Sequence, residues 1–367
     1  MVQVSAPGKL FLTGEWAILE MRSPGIVAAV NKRVHAKITE SKEIRVKIHD
    51  FSIDVSAKFE NGKIIWNNVS DEQKEKLIFI KGAIETTMQY LGRYKTFSIE
   101  TWGDLSQIKI GKETKKVGFG SSAASVVAVV AALLAFHGQK INNREAKDIV
   151  YKLSAIAHYF AQGKVGSSFD VAASTYGGIF VYKRFDADWL VNQIKSKSVK
   201  AVLEENWPGF YLEELEIPDD FILLISWTKE SASTPAMVKQ MEEYKKQNQD
   251  EYSELINEVG DMAKKAIDAW KKDDREKLLR AIMKNEEVLR KLGKKSKVNI
   301  ETEDLRKLSE LAEQAGGAGK LSGAGGGDCG IGVAYSKSIA EKIKKAWSKE
   351  GLYIVDATVD RFGIKEE

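Results

Sequence analysis

Fourteen consecutive residues, Ala123–Phe136, include one serine and otherwise only apolar side chains. This run limits the possible folds more than any other segment. It is shorter than the roughly 18 to 20 residues needed to cross a bilayer, so it is expected to be a helix enclosed by protein. A helix that is apolar on every side needs a large structure around it. The 367 residues, 43% hydrophobic and 29% charged, can supply one, and that length suggests two domains.

Composition removes several classes of function. Lys and Arg total 56 against 52 Asp and Glu, a net charge of +4 with no basic stripe, so nucleic acid is not an expected ligand. One cysteine, Cys329, excludes an internal disulfide and a cysteine-rich zinc site, and it suits a reducing compartment. The four histidines, His35, His49, His137 and His158, show no metal-pair spacing. Catalysis is therefore expected from carboxylates, lysines and backbone groups. Met1 to Lys9 does not read as a secretory leader, so no membrane association and a cytoplasmic location are expected.

Periodicity gives the organisation. Short β-type runs (Gly25–Val30, His35–Ile38, Glu43–Ile48) lead to a helix over Asp71–Leu91 that Gly92 closes. Further strands are expected at Phe97–Trp102, Gln107–Ile110 and Ile179–Tyr182, and a helix at Asn143–Phe160. Gly163–Gly178 is too rich in glycine and serine to be regular throughout. Beyond a strand at Phe221–Trp227 the chain is strongly helical, and it ends in a strand, helix and strand from Gly330 to Thr358. The domain boundary is expected between about Asp186 and Glu216, dividing residues 1–200 from 201–367.

Three segments carry candidate chemistry. The strongest, Lys116-Val117-Gly118-Phe119-Gly120-Ser121-Ser122-Ala123, runs directly into the apolar helix, where unpaired N–H groups and the helix dipole favour phosphate. Capping of the helix by Ser121 or Ser122 is the commoner role for such serines. The adjacent Lys115 and Lys116 favour a polyphosphate with Mg²⁺. In Ala6-Pro7-Gly8-Lys9-Leu10-Phe11-Leu12-Thr13-Gly14-Glu15, Lys9 and Glu15 interrupt an apolar strand and turn, either as a solvated turn or as functional groups. Asp170, after Gly166-Ser167-Ser168-Phe169, suits a turn or a base. Finally, nine of the 29 glycines fall within Gly316–Gly332, which implies close approach to that backbone. A dinucleotide fingerprint at Gly325, Gly327 and Gly330 fails because a β run follows it. A P-loop ending at Lys320 fails because Gln314 and Leu321 occupy required positions.

Together, Ala6-Pro7-Gly8-Lys9, Gly118-Phe119-Gly120-Ser121-Ser122-Ala123 and Ser322-Gly323-Ala324-Gly325-Gly326-Gly327-Asp328 resemble the three ordered motifs of the GHMP kinase superfamily. Within it the chain is most similar to the phosphomevalonate kinases, through Gly14-Glu15-Trp16-Ala17-Ile18-Leu19, Trp227-Thr228-Lys229-Glu230 and the third glycine segment. Mevalonate kinases usually have His where this chain has Trp16. The resemblance implies an α+β, two-domain fold, with an N-terminal domain like ribosomal protein S5 domain 2 and a ferredoxin-like C-terminal domain.

It also implies an ATP-dependent kinase acting on 5-phosphomevalonate, working as a monomer or homodimer. By this similarity Lys116, Gly118, Gly120, Ser121, Ser122 and Ala123 hold the ATP phosphates, and Ser122 reaches Mg²⁺. Lys9 and Asp170 are the catalytic pair, with Asp170 beside Lys9. Glu15, Ser168, Lys229, Ser233, Ser322, Gly323, Ala324, Gly325 and Asp328 line the acceptor side, with Ser231 and Thr234 nearby. Mevalonate, a sugar or another small alcohol is the alternative acceptor. A nucleotide-binding protein without turnover is the alternative class. Cys329 is read as a small residue in a tight loop and not as a nucleophile.

Overall fold

The first strand, β1 (Val2–Thr13), pairs antiparallel with β2 (Gly25–Glu40), and a register shift between Pro7 and Gly8 falls just before Lys9. The computed structural model describes residues 1–104, 108–110, 113–115, 118–230 and 233–367, with side chains omitted for 108–110 and 113–115. Next come β3 (Ile44–Ile48), β4 (Ile53–Glu60), β5 (Lys63–Trp66), α1 (Asp71–Leu91) and β6 (Phe97–Gly103). A small hairpin, β7 (Ile108–Ile110) and β8 (Glu113–Lys115), precedes α2 (Ser121–Phe136), α3 (Arg144–Ala161), α4 (Phe169–Tyr176) and β9 (Ile179–Lys183). Helices α5 (Ala187–Ser196) and α6 (Val199–Glu204) lead to β10 (Tyr211–Leu215).

The large sheet has the order β10-β9-β2-β6-β3-β4-β5, with β1 also on β2. Helix α2 packs against β1 and β2 and among α1, α3 and α4, and Ala123, Ala124 and every residue from Val126 to Leu133 have no exposed surface. Its apolar sequence thus has the enclosure it required. Local signals set the flanking helices. Ser70 and Gln73 form a reciprocal capping box at α1, Gly92 ends that helix with φ 65°, and the Asn143 side chain accepts from Ala146 N at α3.

The second unit comprises β11 (Ile222–Trp227), α7 (Thr234–Gln247), α8 (Gln249–Lys271), α9 (Arg275–Ser296), α10 (Glu303–Gln314), β12 (Ala318–Leu321), β13 (Cys329–Ala334), α11 (Lys337–Lys349) and β14 (Tyr353–Ile354). Its antiparallel sheet has the order β12-β13-β11-β14. Counted in chain order this is 4-1-3-2, with helices between the first and second strands and between the third and fourth. That is the ferredoxin-like arrangement.

Two expectations need correction. Gly25–Val30 and His35–Ile38 are parts of one 16-residue strand, because charged residues in the middle of β2 sit where one face reaches solvent. Gly163–Gly178 is irregular as far as Ser168 and helical only in α4, in line with the expectation that it is not regular throughout. The first sheet also runs past residue 200. β10 pairs with β9, and the chain end returns as β15 (Lys365–Glu366) to pair with β1, so the sheet draws on residues from both expected domains.

Candidate active site

Two backbone loops and β1 converge on a cleft of about 350 Å³ between the two units. Lys9, Glu15, Gly118, Gly120, Ser121, Ser122, Ser168, Asp170, Ser322, Gly323, Ala324, Gly325 and Asp328 all line it. Three separate sequence motifs therefore meet in one place. Lys116 and Ser231 lie outside the described residues.

The N-terminus of α2 is built differently from a serine-capped helix. Gly120 is the capping position, with φ 79°, so the capping residue has no side chain to bond the first-turn N–H groups. The capping role open to Ser121 and Ser122 is therefore not taken, and the donors point at the cleft. Glycine is required at 120 for its conformation, and an added Cβ would also stand 3.0 Å from Lys9 Cε. At Gly118 an added Cβ would lie 2.4 Å from Asp328 Cγ, so the second and third motifs touch through that missing side chain.

Lys9 N donates to Phe119 O at 2.9 Å, which fixes β1 to the phosphate-type loop. Its Nζ donates to Gly118 O at 2.9 Å and lies 5.7 Å from the centroid of the Phe169 ring. The expected pairing of Lys9 with Asp170 is not formed. Asp170 instead accepts from Val171 N at 2.9 Å in the first turn of α4, and its other oxygen is 4.0 Å from His158 Nε2.

His158 is the residue that sequence reasoning passed over. It sits in the last turn of α3, 2% exposed, stacked on Phe79, with Nε2 3.2 Å from Ser122 Oγ. Burial holds its pKa below the usual imidazole value, and Asp170 pulls in the opposite direction. A lone histidine on a helix gives no sequence signal; only folding brings it to Ser122 and Asp170.

Several expected contacts are committed elsewhere. Ser322 Oγ accepts from Phe11 N (2.8 Å) and donates to Phe11 O (3.1 Å), so its hydroxyl ties the third loop to β1. Glu15 is 1% exposed and paired with the fully buried Lys320. Ser168 is left-handed (φ 59°) and 4% exposed; the neighbouring Ser167 carbonyl accepts from Tyr182 Oη at 2.5 Å. Ala123 is buried behind the cleft wall.

Lys229 and Ser233 do not line the cleft. Asp328 N donates to Glu230 O and Thr228 N to Asp328 O, which turns the intervening Lys229 outward to donate to Gly351 O at 2.7 Å. Thr234 and Val238 of α7 line the cleft instead. Cys329 is buried, which raises its thiol pKa well above the usual range and keeps it protonated. Trp16 lines the cleft with a positive φ of 63°, its Nε1 donating to Ala324 O at 3.2 Å.

Under the network, burial pushes the Glu286 carboxyl up to about 8, with Lys320 pulling it down. Among the described residues no group of three or more His, Cys, Asp or Glu forms a metal cluster, and no helix is long and apolar enough to cross a membrane.

Residues 79–178 match the family described as GHMP kinases N terminal domain, and residues 263–352 match GHMP kinases C terminal. A phosphomevalonate kinase of Saccharolobus solfataricus is 32% identical over 100% of this chain and 99% of its own. One from a Streptomyces species (strain CL190) is 28% identical over 98% and 97%. The structure of Streptococcus pneumoniae phosphomevalonate kinase in complex with phosphomevalonate and AMPPNP superposes with TM-score 0.82, at 25% identity over 98% of this chain and 100% of that one. With a full-length relative above 30% identity and both halves of the fold matched in order, the chain belongs to the GHMP kinase family.

Proposed function

We propose that the protein transfers the γ-phosphoryl group of ATP to the phosphate of 5-phosphomevalonate, giving 5-diphosphomevalonate and ADP. The observation that carries the reaction class is the uncapped N-terminus of α2 beside the Lys9 ammonium, a cradle for a polyphosphate next to a cation. The choice of acceptor rests on the full-length likeness to phosphomevalonate kinases.

An oxygen of the acceptor phosphate attacks the γ-phosphorus, and the bond from that phosphorus to the β–γ bridging oxygen breaks. The first-turn N–H groups of α2 and the Ser121 and Ser122 hydroxyls hold the triphosphate. Lys9 Nζ exchanges the Gly118 carbonyl for oxygens of the transferring group, whose charge it stabilises most in the transition state. Ser122 Oγ is a hard oxygen donor that would hold a Mg²⁺ whose other positions are filled by phosphates. A bound Mg²⁺ supplies neutralisation of the β- and γ-phosphate charge.

Asp170 in the cleft is the one feature that favours an alcohol acceptor, since a carboxylate there suits removal of a hydroxyl proton. A coupled ADP-release assay across mevalonate, 5-phosphomevalonate and galactose tests the choice. Turnover with 5-phosphomevalonate alone is expected, and faster turnover of mevalonate would overturn it.

A further inference from the structure

The described lining of the main cleft contains one cation, Lys9, together with Glu15, Asp170 and Asp328. An acceptor with a phosphate at one end and a carboxylate at the other needs positive charge at both ends. Lys9 stands at the Gly118–Ser122 end, where transfer occurs.

A second cavity, about 330 Å³, adjoins the cleft and shares Trp16, Leu19, Val165, Gly166 and Val238 with it. Lys164, Arg184 and Lys245 are in its wall, facing four carboxylates. Glu20 is taken by Lys245 (2.6 Å) and the Tyr252 hydroxyl (2.7 Å). Asp186 accepts from Trp189 N (3.0 Å) at the start of α5. Asp188 and Glu242 are exposed, where water and salt screen them. Lys164 is exposed as well, over the Phe160 ring.

Arg184 is placed differently. It is half-buried, and its Nη1 donates to Leu19 O at 2.7 Å, while its Nε is buried without a partner. Leu19 belongs to the walls of both cavities and Arg184 to the second alone, so this bond holds the guanidinium on the second cavity's side of their shared wall. A guanidinium stays charged at any working pH, and the N–H groups at its Nη end can pair with a carboxylate.

We infer that Arg184 anchors the carboxylate of the acceptor. The substrate lies with its phosphate toward Lys9 and its carboxylate beyond the shared wall, on the guanidinium. The inference rests on the acceptor reading above and adds a specificity determinant to it: the enzyme selects short organic phosphates that carry a second anion at the far end.

The test compares wild type, Arg184→Met and Arg184→Lys on 5-phosphomevalonate and on 3-hydroxy-3-methylbutyl phosphate, the same skeleton without the carboxylate. Losing a charged hydrogen-bonded pair costs roughly 10-fold to 100-fold in affinity. Arg184→Met is therefore expected to raise KM for 5-phosphomevalonate by about that factor, leaving kcat within about threefold and KM for ATP unchanged. The analogue should be used 10-fold to 100-fold less well by wild type, on the same scale, with no further loss in the variant. Arg184→Lys should recover part of the affinity. Equal loss on both acceptors would make Arg184 a structural tie to Leu19 and overturn the inference, as would an unchanged KM for 5-phosphomevalonate. A wild-type enzyme inert toward both phosphates would overturn the acceptor reading itself.

Discussion

Replacing Lys9 by methionine separates the charge of this residue from its packing. The main-chain bond from Lys9 N to Phe119 O survives, and so does the aliphatic stem that lies against Gly120. On the folding side the loss is one hydrogen bond from Nζ to Gly118 O, worth about 1 kcal/mol at this half-buried position. On the chemical side it is a unit positive charge facing the transferring phosphoryl group. At about 4 Å and an effective dielectric of about 20, such a pair interacts with about 4 kcal/mol. Removal of a positioned donor to a developing anion costs about 2.7–4 kcal/mol, or 100-fold to 1,000-fold in rate. The two routes agree, so kcat should fall by roughly 100-fold to 1,000-fold. ATP affinity should fall by less than about 10-fold, because the α2 N–H groups and both serine hydroxyls remain. Coupled ADP release at saturating substrates gives the first number, calorimetric titration of ATP the second, and thermal unfolding checks the fold. A variant with kcat within about threefold of wild type would remove Lys9 from the mechanism.

Asp170→Asn should cost less than Lys9→Met, with a rate that levels off above about pH 7, because a phosphate acceptor has its second pKa near 6, is mostly ionised above about pH 7 and needs no base; equal damage at every pH, read from pH–rate profiles, would favour an alcohol acceptor. Gly120→Val should abolish ATP binding in calorimetry with a folded protein, since a β-branched residue at φ 79° is strained and its Cβ crowds Lys9; normal affinity would refute the cradle. Glu286→Gln addresses the buried network. A carboxyl raised to about 8 holds a proton in the folded state that it loses near 4.5 when unfolded, so wild-type stability falls as pH rises from about 4.5 to about 8. The variant should flatten that part of the Tm-versus-pH curve; an unchanged slope would show that Glu286 is ionised throughout.

What could be read from the sequence follows the range of the forces involved. The ends of α1 and α3 were legible because Gly92 and Asn143 act on backbone groups within a few residues. The enclosure of α2 was legible because fourteen apolar residues have nowhere else to go. The ordered motifs bring Lys9, Gly118, Gly120 to Ser122 and the Ser322 loop to one cleft. What the sequence hid depends on distant contacts. His158 meets Ser122 across 36 residues, and Lys320 meets Glu15 across 305. Lys229 looked like an acceptor-side cation, yet the pairing of Thr228 and Glu230 with Asp328 turns it outward. Ser322 and Glu15 line the cleft, but their polar groups are spent on Phe11 and Lys320.

Those committed groups explain how the site keeps its shape. From Pro7 to Gly14, β1 is tied at four points beyond its own sheet. Pro7 O accepts from Ser174 Oγ of α4, Lys9 N donates to Phe119 O, Phe11 bonds Ser322 Oγ through both its N–H and its carbonyl, and Gly14 N donates to Asn285 Oδ1 of α9. The ties come from both units, so the backbone under Lys9 is fixed relative to the α2 N-terminus and to the third loop together. Positioned charge accelerates a reaction only if it does not have to reorganise as charge develops. Here the main chain meets that condition, and what can still adjust at the transfer end is the Lys9 ammonium, while at the other end the Leu19 carbonyl holds the Arg184 guanidinium and Trp16 lines both cavities. The motifs common to the family fix the transfer end, and the selection of one acceptor over another falls to Trp16 and Arg184, neither of which belongs to the three glycine motifs.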